Sequence, residues 1–121
     1  SIGCSALRLL RQNKHLFNLI GVSVNKNAKL LSQIVNEFNV PNVVLSNKEN
    51  IDNYYAKQTL QIGGASLINL AALECDIVIS GISGLSGLHA AYAAVNAGND
   101  LAIAPMASAE ILPANQVSTK L

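Results

Sequence analysis

Three short segments of this 121-residue chain combine residue types that could hold a phosphate. Ser1-Ile2-Gly3 opens an apolar-periodic stretch, and the N–H groups at a helix start carry partial positive charge that suits a pyrophosphate. Asn25-Lys26-Asn27 follows a mostly apolar run, and a cation between two amides can pair with a phosphate while donating hydrogen bonds to it. Gly81-Ile82-Ser83-Gly84-Leu85-Ser86-Gly87-Leu88 is glycine-rich but lacks the Gly-Lys-Ser or Gly-Lys-Thr ending of a P-loop. Each segment also has a plainer reading. Ser1 can cap a helix and Gly3 can pack closely; Asn25 to Asn27 can be a solvated turn in which Asn27 caps the next helix. For the glycine-rich segment, simple chain turning is as good an account as close approach to a ligand.

The other reactive side chains are scattered. His15 falls in a helix-to-strand connection and His89 on a helix, without paired ligand spacing. Cys4 and Cys75 form no CxxC and belong to no cysteine and histidine cluster able to hold zinc. A thiol such as Cys4 in a helix's first turn can have a lowered pKa, yet a small packing residue is the simpler role. Glu37, Glu49, Glu74 and Glu110 read as isolated, solvated carboxylates, and Tyr54 and Tyr55 as half-buried helix residues rather than a stacking platform. No Ser-His-Asp order with a glycine elbow occurs. No catalytic or metal-ligating residue is therefore assigned.

Bulk properties narrow the classes. Eight Lys plus Arg nearly balance seven Asp plus Glu, so the basic face expected of a nucleic-acid or anionic-membrane binder is missing and any phosphate binding must be local. No apolar run approaches the roughly 20 residues of a membrane span, which predicts a soluble protein; the unclustered cysteines fit a reducing cytoplasm or a plastid-type organelle interior. Ser1-Ile2-Gly3-Cys4-Ser5 lacks the features of a signal peptide and has no initiator Met, so the start reads as cut.

Periodicity supplies the elements that must position these segments. Ile2, Ala6, Leu9 and Leu10 share a helical face, and residues 16–24 read as a strand. Leu30, Leu31, Ile34, Val35 and Phe38 predict a second helix, and Asn42 to Leu45 a short buried strand after Pro41. Ile51, Tyr54 and Tyr55 suggest a third helix, Leu60 to Ile62 an edge strand, and Gly63-Gly64 a turn into a helix through Leu73. Asp76 to Ser80 is a strand, followed by a helix with Leu85, Leu88, Tyr92 and Val95 inward and Gly98 at its C-terminal end. Leu101 to Ala104 is a last strand ending at Pro105. Strands alternating with helices predict a Rossmann-like, doubly wound α/β domain with a parallel sheet. The strand that should feed the first helix is missing from the chain, which predicts exposed strand edges and poor stability. In this fold Asn25-Lys26-Asn27 occupies the place where the adenosine ribose is read. An acidic residue there would favour NAD; a cation and two amides suit NADP.

Taken in order, these pieces resemble the N-terminal NADPH-binding part of 1-deoxy-D-xylulose 5-phosphate reductoisomerase. Ser1 to Ser5 is similar to the second half of that family's Gly-Ser-Thr-Gly-Ser-Ile-Gly fingerprint, and Arg11-Gln12-Asn13 through His15 and Phe17 to the segment after it. Lys26-Asn27 resembles the family's Gly-Lys-Asn, with Asn25 in place of the glycine. Leu70 to Glu74, Asp76 to Val78, Gly81 to Leu88 and Ala97-Gly98 resemble the middle of its cofactor domain. The resemblance covers residues 1–104, leaving 105–121 as an unassigned tail. It implies NADPH-dependent conversion of 1-deoxy-D-xylulose 5-phosphate to 2-C-methyl-D-erythritol 4-phosphate in non-mevalonate isoprenoid synthesis. It also implies Mg²⁺ or Mn²⁺ on the substrate oxygens and a homodimer. By the same resemblance, Ser1 and Ile2 contact the NADPH phosphates, and Asn25, Lys26 and Asn27 its adenosine 2′-phosphate end.

The departure is Pro105-Met106-Ala107, where the family carries Asn-Lys-Glu; none of these side chains can replace an amide, ammonium or carboxylate. The family's metal ligands, substrate-phosphate site and lid are absent from the chain, so it is expected to be inactive alone. One competing reading is a non-catalytic truncated remnant or interaction module. Another is a different NADP enzyme, such as the aspartate-semialdehyde dehydrogenase group, whose nucleophilic cysteine has no matching context here.

Overall fold

The computed structural model describes residues 2–81, 84–103 and 110–112, arranged in two compact units. One unit comprises Leu19–Leu73; the other joins Ser1–Asn18 to Glu74–Leu121.

In the Leu19–Leu73 unit, β1 (Gly21–Val24), β2 (Asn42–Leu45) and β3 (Leu60–Ile62) form a parallel sheet in the order β1-β2-β3. Side chains alternate across a strand, so the register puts Val22, Val43 and Leu60, with Val24 and Leu45, on one face. Helix α2 (Ala28–Phe38) covers this face, and Ala28, Leu31 and Val35 complete a buried cluster with Val40, Val43 and Leu45. The opposite face, carrying Gly21 and Val44, receives α3 (Gly64–Ala71), whose Leu70 side chain lies over Gly21. Helices thus flank the parallel sheet on both sides, as the alternating pattern predicts.

Local chemistry sets the ends of α2. Asn27 accepts the Leu30 N–H at 3.0 Å, and Asn39 turns the chain in the left-handed region at φ 53, a conformation Asn tolerates better than most residues. Where Ile51, Tyr54 and Tyr55 suggest a third helix, the chain makes only a short 3₁₀ turn, Ile51–Asn53, and Tyr54 is already extended. Buried Ser32 explains the anchoring of this segment: its hydroxyl donates to the Ala28 carbonyl and accepts the Tyr55 N–H, both at 2.9 Å. The strand predicted over residues 16–24 begins only at Gly21, because Asn13 to Leu16 continue from the first helix as a turn.

The other unit contains α1 (Ile2–Gln12), β4 (Ile77–Ser80), α4 (Gly84–Asn96), β5 (Asp100–Ile103) and β6 (Glu110–Leu112). Strands β4 and β5 are parallel, whereas β6 runs antiparallel to β5. The tail beyond Pro105 therefore contributes a strand that periodicity did not reveal. Gly98 ends α4 at φ +85, and Gly63 precedes α3 at φ +98; a side chain would strain either turn. Buried Asn99 accepts the Cys75 N–H at 3.1 Å, tying the approach to β4 to the start of β5.

Helix α4 reverses one expectation. Leu85, Leu88 and Tyr92 are exposed, while Ala90, Ala91 and Ala94 are buried where the helix packs on β4 and β5. Small residues let the helix approach the sheet closely, and the larger ones are turned outward. No helix among the described residues is long and apolar enough to cross a membrane.

Candidate functional site

The end of β1 leads directly into α2, and the three residues between them are Asn25, Lys26 and Asn27. All three are exposed. Hydrogen bonds beyond the regular sheet lock this loop to the segment leaving β2: Ser46 N–H donates to the Val24 carbonyl at 3.0 Å and Asn47 N–H to the Asn25 carbonyl at 2.9 Å. The Asn47 side chain then accepts the Glu49 N–H at 2.9 Å. Together these bonds hold the two loops side by side at the C-terminal edge of the strands, the place where open α/β sheets bind ligands.

Lys26 is the middle residue of the loop from β1 to α2. Its Nζ lies 3.5 Å from Glu49 Oε2, with both side chains more than half exposed. Glu49 is therefore not the isolated carboxylate its sequence context suggests. An Asn two residues before it, able to form an Asx turn, is the one sequence signal that hints at its placement. Asn27 spends its carbonyl oxygen on the helix cap, and its amide NH₂ is a separate donor group. The start of α2 adds the partial positive charge of a helix N-terminus. A cation, two amides and a helix start are suited to an exposed phosphate monoester.

Other expected site residues fall elsewhere. Ser1 lies outside the described residues, and Ile2 begins α1, which belongs to the other unit. Ile82 and Ser83, within the glycine-rich segment, are also outside them, as are Pro105, Met106 and Ala107; Gly84 starts α4. His15 and His89 are exposed, and among the described residues no cluster of His, Cys, Asp or Glu could hold a metal ion. Burial pushes the Cys75 thiol above its ordinary range; a backbone hydrogen-bonding contact at Ile77 opposes this and the Asp76 charge adds to it. That is the opposite of an activated nucleophile.

A family model for 1-deoxy-D-xylulose 5-phosphate reductoisomerase matches residues 1–108. The chain belongs to this family. Its similarity to the reductoisomerase of Clostridium perfringens (strain ATCC 13124) is 31% identity over 112 residues, covering 86% of this chain and 29% of that protein. The reductoisomerase of Buchnera aphidicola subsp. Schizaphis graminum is also 31% identical, with 86% of this chain and 28% of that protein covered. Among solved structures, the reductoisomerase from Zymomonas mobilis in complex with NADPH superposes with a TM-score of 0.79 at 27% identity, covering 86% of this chain and 29% of that one. A reductoisomerase in complex with NADPH, fosmidomycin and magnesium gives a TM-score of 0.72 at 26% identity, covering 84% and 26%. The chain thus spans less than a third of the length of these reductoisomerases. The shared fold is the Rossmann-like domain, a parallel sheet with flanking helices.

Proposed function

We propose that this chain supplies NADPH-binding residues to a reductoisomerase that converts 1-deoxy-D-xylulose 5-phosphate to 2-C-methyl-D-erythritol 4-phosphate. The observation that carries the reading is Lys26 with Asn25 and Asn27 at the end of β1 and the start of α2, within a chain of this family. NADPH fits this donor set: residues 25–27 contain no carboxylate to repel a 2′-phosphate, and Lys26 and the amides would bind it. Ile2, which begins α1, and Ser1, which precedes it in sequence, would receive the nicotinamide cofactor's pyrophosphate. Bound NADPH supplies the hydride for the reductive part of the reaction.

The contribution of these residues is binding and orientation. Lys26 offers a point charge that follows the phosphate, while the loop-to-loop hydrogen bonds keep the backbone of residues 25–27 in place before the cofactor arrives. No proton transfer is assigned to this segment, and Mg²⁺ or Mn²⁺ would be held by other parts of the protein, which acts on its sugar phosphate as a homodimer in a cytoplasmic or plastid-type compartment. Residues 1–121 alone are then a binding module without turnover. The Pro105-Met106-Ala107 sequence favours a second reading, a non-catalytic remnant of the same fold.

Calorimetric titration of NADPH and NADH against the full chain and its Lys26→Ala variant tests the reading. Loss of a charge-assisted contact to phosphate predicts NADPH affinity about tenfold to a hundredfold lower, with NADH little affected. Equal affinities for the two nucleotides, unmoved by the substitution, would favour the remnant.

A further inference from the structure

The carboxylate that faces Lys26 does not come from the cofactor loop itself. Glu49 comes from the segment after β2, and its position is built rather than incidental: Ser46 and Asn47 are hydrogen-bonded to Val24 and Asn25, and the Asn47 side chain fixes the Glu49 backbone. The carboxylate oxygen then sits 3.5 Å from the Lys26 ammonium.

We propose that Glu49 is a specificity-determining residue that tempers the preference for a 2′-phosphorylated nucleotide. The inference rests on Lys26 reading the 2′-phosphate. Glu49 lies 3.5 Å from the cation that the phosphate needs, so a phosphate must compete with it for Lys26 and then tolerate a neighbouring like charge. A ribose with a free 2′-hydroxyl meets no such repulsion, and a carboxylate at this edge can accept its hydrogen bond. Lys26 and Glu49 therefore act in opposite directions on the same choice. Because both side chains are largely exposed, solvent and salt screen the pair and the effect is modest.

The test is the ratio of affinities for 2′,5′-ADP and 5′-AMP, measured calorimetrically on the full chain and on Glu49→Gln, Lys26→Met and the double variant. Glu49→Gln should raise the ratio by roughly two- to fivefold, the range of an exposed charge pair. The gain should shrink in the Lys26→Met background, where only the direct repulsion between Glu49 and the phosphate remains, the signature of coupling between the two residues. Glu49→Lys, which leaves a second cation at the same exposed position, should raise the ratio further. A ratio unchanged or lowered in both Glu49 variants, with Lys26→Met still reducing it, would overturn the role of Glu49 alone. A ratio insensitive to Lys26→Met would overturn the phosphate-binding role of Lys26, and this proposal with it.

Discussion

Asn27 is expected to serve the fold with one half of its amide and the cofactor with the other, and two substitutions separate these roles. Its side-chain oxygen accepts the Leu30 N–H at 3.0 Å, which caps α2. Asn27→Ala removes that acceptor at a cost of about 1 kcal/mol. For a domain of this size, such a loss lowers the thermal midpoint by roughly 3–5 °C. Asn27→Asp keeps an oxygen in the same place, and a negative charge at a helix N-terminus is at least as favourable, so the midpoint should hold or rise slightly. The same aspartate, however, exchanges the amide donor for a charge facing the 2′-phosphate. At ~4 Å in water each pair of unit charges costs about 1 kcal/mol, and a phosphate near pH 7 carries nearly two. With the lost hydrogen bond, the NADPH to NADH affinity ratio should fall by about tenfold or more.

Thermal unfolding followed by circular dichroism, paired with calorimetric titration of both nucleotides, reads the two effects separately. The decisive variant is Asn27→Asp, because its fold is preserved while its charge is wrong. Full retention of NADPH preference in Asn27→Asp would refute the reasoning: the 25–27 loop would then not face the 2′-phosphate. An Asn27→Ala midpoint equal to that of the parent would refute the capping argument instead.

Two further expectations concern groups away from the loop. Ser32→Ala leaves the Tyr55 N–H without its buried acceptor, and urea unfolding should show a loss of about 1–3 kcal/mol; an unchanged denaturation midpoint would mean that the residue 51–56 segment is held by other contacts. Cys75 has its thiol pKa raised by burial, so its protonated form is favoured in the folded state. That contribution to stability is fully present below the unfolded pKa and is lost as pH rises through the folded value. In a Cys4→Ser background, the pH midpoint of Cys75 alkylation should lie higher in the folded protein than in urea, and a midpoint at or below the urea value would contradict the assigned burial.

Much of this molecule is local in origin and so is readable along the chain. Apolar spacing locates α2 and β2 because the helix buries one stripe, Leu31, Ile34 and Val35, while the central strand buries both faces, giving the unbroken apolar run Val43 to Leu45. Caps and turns are read from single residues, as Asn27 and Gly98 show. The order of the motifs along the chain, with Lys26 where a strand meets a helix, is likewise sequential information, and it carries the resemblance to the family. Periodicity is weaker where apolar residues outnumber the places that can bury them. In α4 both Leu85-Leu88-Tyr92 and Ala90-Ala91-Ala94 are apolar stripes, and only packing on β4 and β5 selects the alanines.

Tertiary structure alone decides what meets across the chain. The Tyr55 N–H finds Ser32, Cys75 finds Asn99, and β6 pairs antiparallel with β5, each joining segments whose own composition does not specify the partner. Glu49 shows the consequence for function. In sequence it is one carboxylate among several; parallel pairing of β1 with β2 brings their exit loops together and sets it beside Lys26. The sequence by itself determines that a cation waits at the end of the first strand. The charge that answers it follows from strand register, because parallel pairing aligns the ends of strands that are distant in sequence.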